Sequence, residues 1–325
     1  MKMIKKLSAA LCCVMLLTAC GSREPAERTS LPAVVSVPVP VPAESSSSET
    51  STVSEPETVP EPEPVPEDAH MYTAYALYCV EDDEMLDSYN ADKRIAPASL
   101  TKLMTASVTL RYSEADEVIT VGSELELVNE DSSLCMIAPG EMLTVYDLLT
   151  GLLLPSGNDA AYTAAVTTAR KVKRNDLSDN QAVWYFCKLM NDMARELGMT
   201  GSHFADPDGW DDPNHYTTAS DLVKIAKYAL TVPEIREIVS TPKKEVVFET
   251  GEYAVWYNGN KLLHPESDYY CKNAIGMKTG YTDDAGLCLV AAFVKNGKTY
   301  ITVTVGSEED EDRYNKTLQL FDDIL

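Results

Sequence analysis

The sequence is poor in basic residues, with 27 lysines and arginines against 51 aspartates and glutamates, and its formal charge is −24. Nucleic acids and anionic membrane surfaces are bound through basic patches, so this composition argues against both as partners. Histidine is scarce as well, and its four copies have no metal-ligand spacing. The sequence therefore predicts neither a metal site nor a cofactor, and a metal-dependent enzyme is disfavoured.

Cysteines are not arranged in pairs. No Cys-x-x-Cys occurs, and the five cysteines after residue 70 are irregularly spaced. This pattern predicts neither a zinc site nor a disulfide framework. Most of the five are expected to be buried as small apolar residues.

Long hydrophobic runs are missing except for Leu7 to Ala19, which is too short for a stable membrane span. Three lysines precede this run, and Cys20 follows its small residues directly. The pattern resembles the lipobox of bacterial lipoproteins and predicts a signal peptide over residues 1–19, with Cys20 lipidated and holding the chain on the membrane. An ordinary signal peptide with an incidental cysteine is the alternative.

Residues 20–70 are rich in proline, serine, glutamate, threonine and valine. Such a segment buries too little apolar surface to offset the cost of ordering, so it is expected to be an extended, disordered tether. In the polyproline conformation it could hold a domain on the order of 100 Å from the membrane. That reach suits an extracytoplasmic protein whose substrate lies in the cell wall.

Residues 71–325 carry the patterns of a folded domain. A strand hairpin is predicted at the start, and the dipeptide Asn296-Gly297 predicts another between two apolar strands near the end. Between them lie stretches with helical periodicity. Strands at both ends with helices between them predict an α+β fold, in which one antiparallel sheet built from both termini is flanked by helices and an all-helical subregion.

The strongest chemical signal is Ser99-Leu100-Thr101-Lys102, at the start of a predicted helix. Residues three apart on a helix are neighbours, so the Lys102 amine could take the proton of the Ser99 hydroxyl. The pattern is weak alone, because Ser240 and Lys243 have the same spacing.

Two further clusters accompany it. Ser156-Gly157-Asn158 follows Pro155, where one helix ends and another begins, and Lys278-Thr279-Gly280 is predicted on an edge strand. Ser178-Asp179-Asn180 resembles the second cluster, but Gln181 follows Ser178 by three residues and a capping box explains it. The three clusters together are known from penicillin-recognising serine enzymes.

With their surroundings, these clusters closely resemble low-molecular-mass penicillin-binding proteins of the serine D-alanyl-D-alanine carboxypeptidase family, which have the β-lactamase/transpeptidase-like fold. The resemblance covers residues 71–325 and keeps the order of the family's motifs. It is carried by the stretches 97–105, 156–161, 203–209, 212–218 and 276–282.

The resemblance implies that Ser99 attacks the carbonyl between the last two D-alanines of a peptidoglycan stem pentapeptide and forms an acyl-enzyme that water hydrolyses. Lys102 would be the base, and Ser156 would relay the proton to the leaving amine. β-Lactam antibiotics would acylate Ser99 as covalent inhibitors.

The resemblance also implies the substrate-binding residues. Asn158 would hold a peptide amide, Thr279 with Lys278 would bind the terminal carboxylate, and Gly280 would let the substrate backbone approach. The backbone N–H groups of Ser99 and Tyr281 would form the oxyanion hole.

Several alternatives stay open. A D,D-endopeptidase fits the same residues. A class A β-lactamase would need a Glu-x-x-Leu-Asn segment that is missing between Ser156 and Lys278. A non-catalytic β-lactam-sensing or wall-binding lipoprotein would not need the base and the relay. Since the chain ends about 45 residues after Gly280, lipidated Cys20 is expected to replace the C-terminal membrane helix of many family members.

Overall fold

The structure, a computed structural model, describes residues 71–173 and 176–324. The predicted signal peptide, Cys20 and the tether lie outside the described residues. Within those two ranges, no helix has the length and apolar character needed to cross a membrane.

Both ends of the described chain contribute strands to one antiparallel sheet of five strands, in the order β2-β1-β9-β8-β7. The prediction of a sheet built from both termini is therefore confirmed. The strands are β1 Ala74–Cys79, β2 Glu84–Tyr89, β7 Ala274–Thr282, β8 Gly286–Lys295 and β9 Lys298–Ser307. Strand β7 lies at an edge of the sheet, as the sequence predicts.

Two small hairpins complete the β-structure. Strands β3 (Val118–Thr120) and β4 (Met142–Thr144) pair with each other, as do β5 (Lys243–Val247) and β6 (Tyr253–Tyr257). The tight turn between β8 and β9 has Asn296 at φ 53° and Gly297 at φ 78°. Two positive φ angles are what a type I′ hairpin turn requires, which explains why this dipeptide predicts the hairpin correctly.

Seven α-helices lie within the described residues. They are α1 Lys102–Tyr112, α2 Val145–Leu153, α3 Asn158–Lys173, α4 Asp179–Glu196, α5 Ala219–Thr231, α6 Pro233–Val239 and α7 Asp310–Asp322. Helix α2 begins directly after Thr144, whose side chain accepts a hydrogen bond from the Asp147 backbone N–H. Helix α6 was not predicted, although Pro233 stands in its first turn, where proline is favoured.

The sheet is buried on both faces. In β8, Val290 and Ala292 belong to a large core with the central helices, whereas Leu289 and Phe293 belong to a second core under α7. A strand buried on both faces needs apolar residues at every position, which explains the continuous apolar run of β8. The helices on both faces give the predicted α+β fold.

Candidate active site

Ser99 lies in a 3₁₀ turn, Ala98–Thr101, which leads directly into α1. Ala98 has a φ of 48°, an unusual value for a non-glycine residue. Two glycines pack against this turn. A Cβ at Gly209 would lie 1.8 Å from the Ala98 carbonyl oxygen, and one at Gly280 would lie 3.1 Å from the Ser99 nitrogen. The turn that presents Ser99 is therefore packed directly against Gly209, where any side chain would clash with it, and tightly against Gly280.

Lys102 is fully buried directly behind Ser99. Its Nζ lies 2.7 Å from Ser99 Oγ, 2.7 Å from Asn158 Oδ1 and 2.9 Å from the Asp208 carbonyl oxygen. An uncharged amine has two N–H groups and one lone pair. Asn158 and the Asp208 carbonyl can accept the two N–H groups, which leaves the lone pair for the proton of Ser99.

Burial lowers the pKa of Lys102 to about 8, although the negative charges of Asp208, Asp206 and Asp159 act in the opposite direction. An ordinary lysine titrates near 10.4, so the uncharged form is far more accessible here. A buried lysine within hydrogen-bonding distance of a serine hydroxyl is a suitable general base for a nucleophile.

Ser156 lines the same cavity as Ser99. Its φ is 65°, in the left-handed region, and its Oγ is buried. This hydroxyl makes no hydrogen bond with any residue that the structure describes. A strained serine with an unsatisfied hydroxyl in a cleft is typical of a functional position.

Asn158 is the first residue of α3, and both ends of its side-chain amide are engaged. Oδ1 accepts a hydrogen bond from Lys102 Nζ, and Nδ2 donates one to Ser132 Oγ at 3.0 Å. Asn158 therefore orients Lys102, a role that the sequence did not indicate. Its neighbour Asp159 accepts hydrogen bonds from the backbone N–H groups of three successive residues in the loop after Ser132, namely Cys135, Met136 and Ile137.

Lys278 lies behind the cavity wall and not in it, and it is 1% exposed. Its Nζ donates a hydrogen bond to the Thr279 carbonyl oxygen at 2.9 Å. Burial, and then the positive charges of Lys102 and Arg313, lower the pKa of Lys278 well below its ordinary value. Thr279 and Arg313, unlike Lys278, line the cavity.

The cavity has a volume of about 260 Å³. Six of the predicted site residues line it, whereas Lys102 and Lys278 lie behind its wall. These six are Ser99, Ser156, Asn158, Thr279, Gly280 and Tyr281. The remaining lining residues are Asp131, Ser132, Ser133, Asp208, Gly209, Trp210, Thr282 and Arg313.

Arg313, from α7, is a lining residue that the sequence did not indicate. Its guanidinium donates hydrogen bonds to the carbonyl oxygens of Gly280 and Cys288 and forms an ion pair with Asp310. Its Nε has no partner among the described residues. No local pattern could have revealed it, because it enters the site only when α7 packs against the sheet.

A second group of side chains lies behind Lys102. His215 Nδ1 is 2.6 Å from Asp206 Oδ2, and its Nε2 is 2.9 Å from Thr101 Oγ1. Asp206 Oδ1 also accepts the backbone N–H of Gly209 at 2.6 Å. This network ties the segment that contains Asp208 and Gly209 to the 3₁₀ turn that presents Ser99.

The two competing patterns have structural explanations. Ser178 forms the expected capping box with Gln181 at the start of α4. Ser240 lies outside the cavity, and its hydroxyl donates to the Glu237 carbonyl oxygen. Four of the five cysteines are buried, as predicted. Across residues 71–173 and 176–324, no three metal-binding side chains lie close enough to hold an ion.

The family profile of peptidase S11, described as D-alanyl-D-alanine carboxypeptidase, matches residues 70–309. The chain belongs to this family. Among curated relatives, D-alanyl-D-alanine carboxypeptidase DacC of Escherichia coli is 32% identical over 257 residues, which are 76% of this chain and 59% of that protein. The D-alanyl-D-alanine carboxypeptidase of Streptomyces sp. K15 is 36% identical over 230 residues, covering 67% of this chain and 74% of the relative.

Solved structures agree with the family assignment. The crystal structure of the Streptomyces K15 DD-transpeptidase superposes with a TM-score of 0.71 and 31% identity, over 78% of this chain and 96% of the other. Penicillin-binding protein D2 of Listeria monocytogenes, in its cefotaxime-bound form, has a TM-score of 0.63 and 29% identity, over the same shares. The fold is therefore the transpeptidase-like fold. The chain spans only about three fifths of the length of DacC.

Proposed function

We propose that the protein is a serine D-Ala-D-Ala carboxypeptidase that removes the terminal D-alanine from peptidoglycan stem pentapeptides. The observation that carries this proposal is the 2.7 Å contact between Ser99 Oγ and the buried Lys102 Nζ at the wall of a cavity. Membership of the S11 family supports the same reaction.

In the acylation step, Ser99 Oγ attacks the carbonyl carbon between the two D-alanines, and its proton passes to Lys102 Nζ. The negative charge that develops on the carbonyl oxygen would be stabilised by the backbone N–H groups of Ser99 and Tyr281. Ser156 then delivers its hydroxyl proton to the leaving amine and regains a proton from Lys102, which becomes uncharged again. Its otherwise unsatisfied hydroxyl in the cavity suits this relay.

The substrate's terminal carboxylate would lie against Thr279 and Arg313. Thr279 and Arg313 both line the cavity, and a guanidinium is well suited to bind a carboxylate. Lys278 supports this side from behind the wall. The positive charge of Arg313 at this end of the cavity would explain a preference for substrates with a free C-terminus.

Water releases the shortened peptide and regenerates Ser99. β-Lactams would acylate the same hydroxyl and act as covalent inhibitors if water reaches the resulting ester slowly. A D,D-endopeptidase would use the same residues, and a β-lactamase would differ only in releasing the acyl group rapidly.

For location, we propose that the domain acts outside the cytoplasm on the cell wall, attached to the membrane by a lipid on Cys20. The small residues before Cys20 and the long tether after it support this proposal.

The test is D-alanine release from a peptide that ends in D-Ala-D-Ala. Ser99→Ala is expected to abolish release, whereas Ser240→Ala, which has the same spacing to a lysine, should leave it unchanged. Equal loss in both variants would contradict the proposal. Faster cleavage of a cross-linked muropeptide than of the pentapeptide would favour the endopeptidase.

A further inference from the structure

The segment 206–210 supplies one of the hydrogen-bond acceptors of Lys102. The Asp208 carbonyl oxygen lies 2.9 Å from Lys102 Nζ. The preceding carbonyl, that of Pro207, accepts a hydrogen bond from the Thr105 hydroxyl of α1 at 2.6 Å. An amine keeps its lone pair aimed at one atom only while the acceptors of its N–H groups stay in place. The direction of the Lys102 lone pair therefore depends on where this segment lies.

The shape of the segment is set by the side chain of Asp206. Its Oδ1 accepts hydrogen bonds from the backbone N–H groups of Asp208 at 3.1 Å, Gly209 at 2.6 Å and Trp210 at 3.3 Å. One carboxyl oxygen thus holds three successive residues. The other oxygen, Oδ2, lies 2.6 Å from Nδ1 of His215, whose ring is fully buried. The acid therefore joins the segment to the buried imidazole.

The partners of His215 indicate which of its ring nitrogens carries the proton. Burial acts to raise the pKa of Asp206, but the hydrogen bonds from His215 and the Gly209 backbone N–H hold it below its usual value, so the acid is a carboxylate. A contact of 2.6 Å between Nδ1 and a carboxylate oxygen needs a hydrogen between them, which places the proton on Nδ1. In the uncharged ring, Nε2 then has a lone pair and accepts the Thr101 hydroxyl at 2.9 Å.

Thr101 is the last residue of the 3₁₀ turn that presents Ser99, and it directly precedes Lys102. It is 1% exposed, and its hydroxyl contacts a side chain 114 residues away in the sequence, that of His215. Thr109, which is also buried, instead donates its hydroxyl to a carbonyl oxygen of its own helix. The hydroxyl of Thr101 therefore links two distant parts of the chain and does not serve its own helix.

We propose that His215 is a positioning residue for the general base. Bound to Asp206 on one side and to Thr101 on the other, it keeps the segment that carries the Asp208 carbonyl fixed against the turn that carries the nucleophile. This role rests on the proposed function. Without the bridge, the carbonyl can move away from Lys102 Nζ, and the lone pair is then no longer directed at the nucleophile. A displacement of about 1 Å at a reacting group can slow a reaction by about 100-fold.

The first test changes only the hydroxyl of Thr101. Thr101→Val keeps the shape of the side chain and removes the hydrogen bond to His215, whereas Thr101→Ser restores a hydroxyl. The measurements are the rate constant of acylation at saturating fluorescent penicillin and the fraction of the protein that becomes labelled. Thr101→Val is expected to slow acylation roughly 10- to 100-fold with complete labelling at the end, and Thr101→Ser should recover most of the wild-type rate. A variant that was merely less stable would label a smaller fraction of the protein at the wild-type rate.

Thr109→Val is the matched control, because it is the same substitution at a buried residue of α1. The hydroxyl that it removes donates to the Thr105 carbonyl oxygen at 2.8 Å. This variant should acylate at the wild-type rate. Equal rate constants in Thr101→Val and Thr109→Val would overturn the role of His215 and leave the proposed function standing. A Thr101→Ser variant as slow as Thr101→Val would do the same, because the hydroxyl would then be unimportant.

A third variant asks whether the hydroxyl acts through the imidazole. His215→Phe removes the acceptor from the other side of the contact. If Thr101 and His215 act through this one contact, adding Thr101→Val to His215→Phe should slow acylation by less than about twofold. A further loss as large as that of Thr101→Val alone would show that the hydroxyl acts without His215, which contradicts the bridge.

A second readout needs neither catalysis nor a variant that folds. His215 is the only described histidine whose ring is fully buried. With ¹⁵N-labelled histidine, NMR should show one imidazole whose Nδ1 carries a proton that exchanges slowly with water and whose Nε2 carries none. A proton on Nε2 of this ring would overturn the bridge. A wild-type protein that forms no acyl-enzyme at all would instead refute the proposed function, and the positioning role with it.

Discussion

Gly209→Ala tests whether the position of the Ser99 turn controls the chemistry. The Gly209 φ is 93°, and an added Cβ would lie 1.8 Å from the Ala98 carbonyl oxygen. In real proteins, Cβ atoms are essentially never closer than 3.0 Å to a non-bonded heavy atom, so the Ala98–Ser99 backbone must move by about 1.2 Å. A displacement of about 1 Å at a reacting group can slow a reaction by about 100-fold. We expect acylation by penicillin to fall by roughly that factor.

The variant should still fold. The left-handed backbone at an alanine costs about 1–2 kcal/mol and the crowding about 1–3 kcal/mol, against a total stability of about 5–15 kcal/mol. The matched control is Gly198→Ala, because Gly198 has a φ of 71° and nothing lies within 4 Å of its added Cβ. It should lose about 1–2 kcal/mol of stability and acylate at the wild-type rate.

The measurements are the acylation rate with a fluorescent penicillin and the free energy of unfolding by urea. If Gly209→Ala acylates as fast as Gly198→Ala, the turn is not a tightly held element and the reasoning fails. A loss of acylation in both variants would point to backbone strain in general.

Three further outcomes are expected. The pKa of Lys102 is about 8 and its uncharged form is the base, so the wild-type acylation rate should fall about tenfold for each pH unit below 8. A rate that stays constant down to pH 5 would exclude Lys102 as the base. Asn158→Ala removes a hydrogen-bond acceptor of Lys102 Nζ, so the acylation rate at pH 8 should fall roughly 10- to 100-fold. An unchanged rate would show that Asn158 does not orient the base. Ser178→Ala removes one half of the α4 capping box, so urea unfolding should report about 1 kcal/mol of lost stability while acylation stays intact. Lost acylation in a folded protein would instead mean that Ser178, and not Ser156, belongs to the second catalytic cluster.

Local signals predicted most of the elements. A capping residue, a turn dipeptide or an apolar stripe acts within a few residues of sequence, which is why Ser178 and Asn296-Gly297 correctly mark the start of α4 and the turn between β8 and β9. The short helix α6 follows α5 directly and has too few residues for a clear apolar stripe.

The candidate site could be predicted only in part. Ser99 and Lys102 are neighbours because of helix geometry, which sequence spacing reveals. Arg313 and Asp208 reach the cavity through tertiary packing, and no spacing in the sequence indicates either residue. Trp210 also lies in the cavity wall, beside Gly209.

Gly280 was predicted as a site residue, but the structure gives its small size a second role. The sequence suggested that its small size lets a substrate approach β7. In the structure its missing side chain also makes room for the Ser99 turn, since a Cβ there would lie 3.1 Å from the Ala98 Cβ and the Ser99 nitrogen.

The claim that Ser99 is the acylated nucleophile is tested most directly by following the intact mass of the protein after mixing with benzylpenicillin, with Ser99→Ala alongside. A long-lived adduct of one penicillin on the wild type alone, located on the peptide that contains Ser99, is the predicted result. An adduct that also forms on Ser99→Ala would contradict the assignment of the nucleophile. Rapid consumption of the drug without a lasting adduct would identify a β-lactamase, and no reaction at all would indicate a non-catalytic protein.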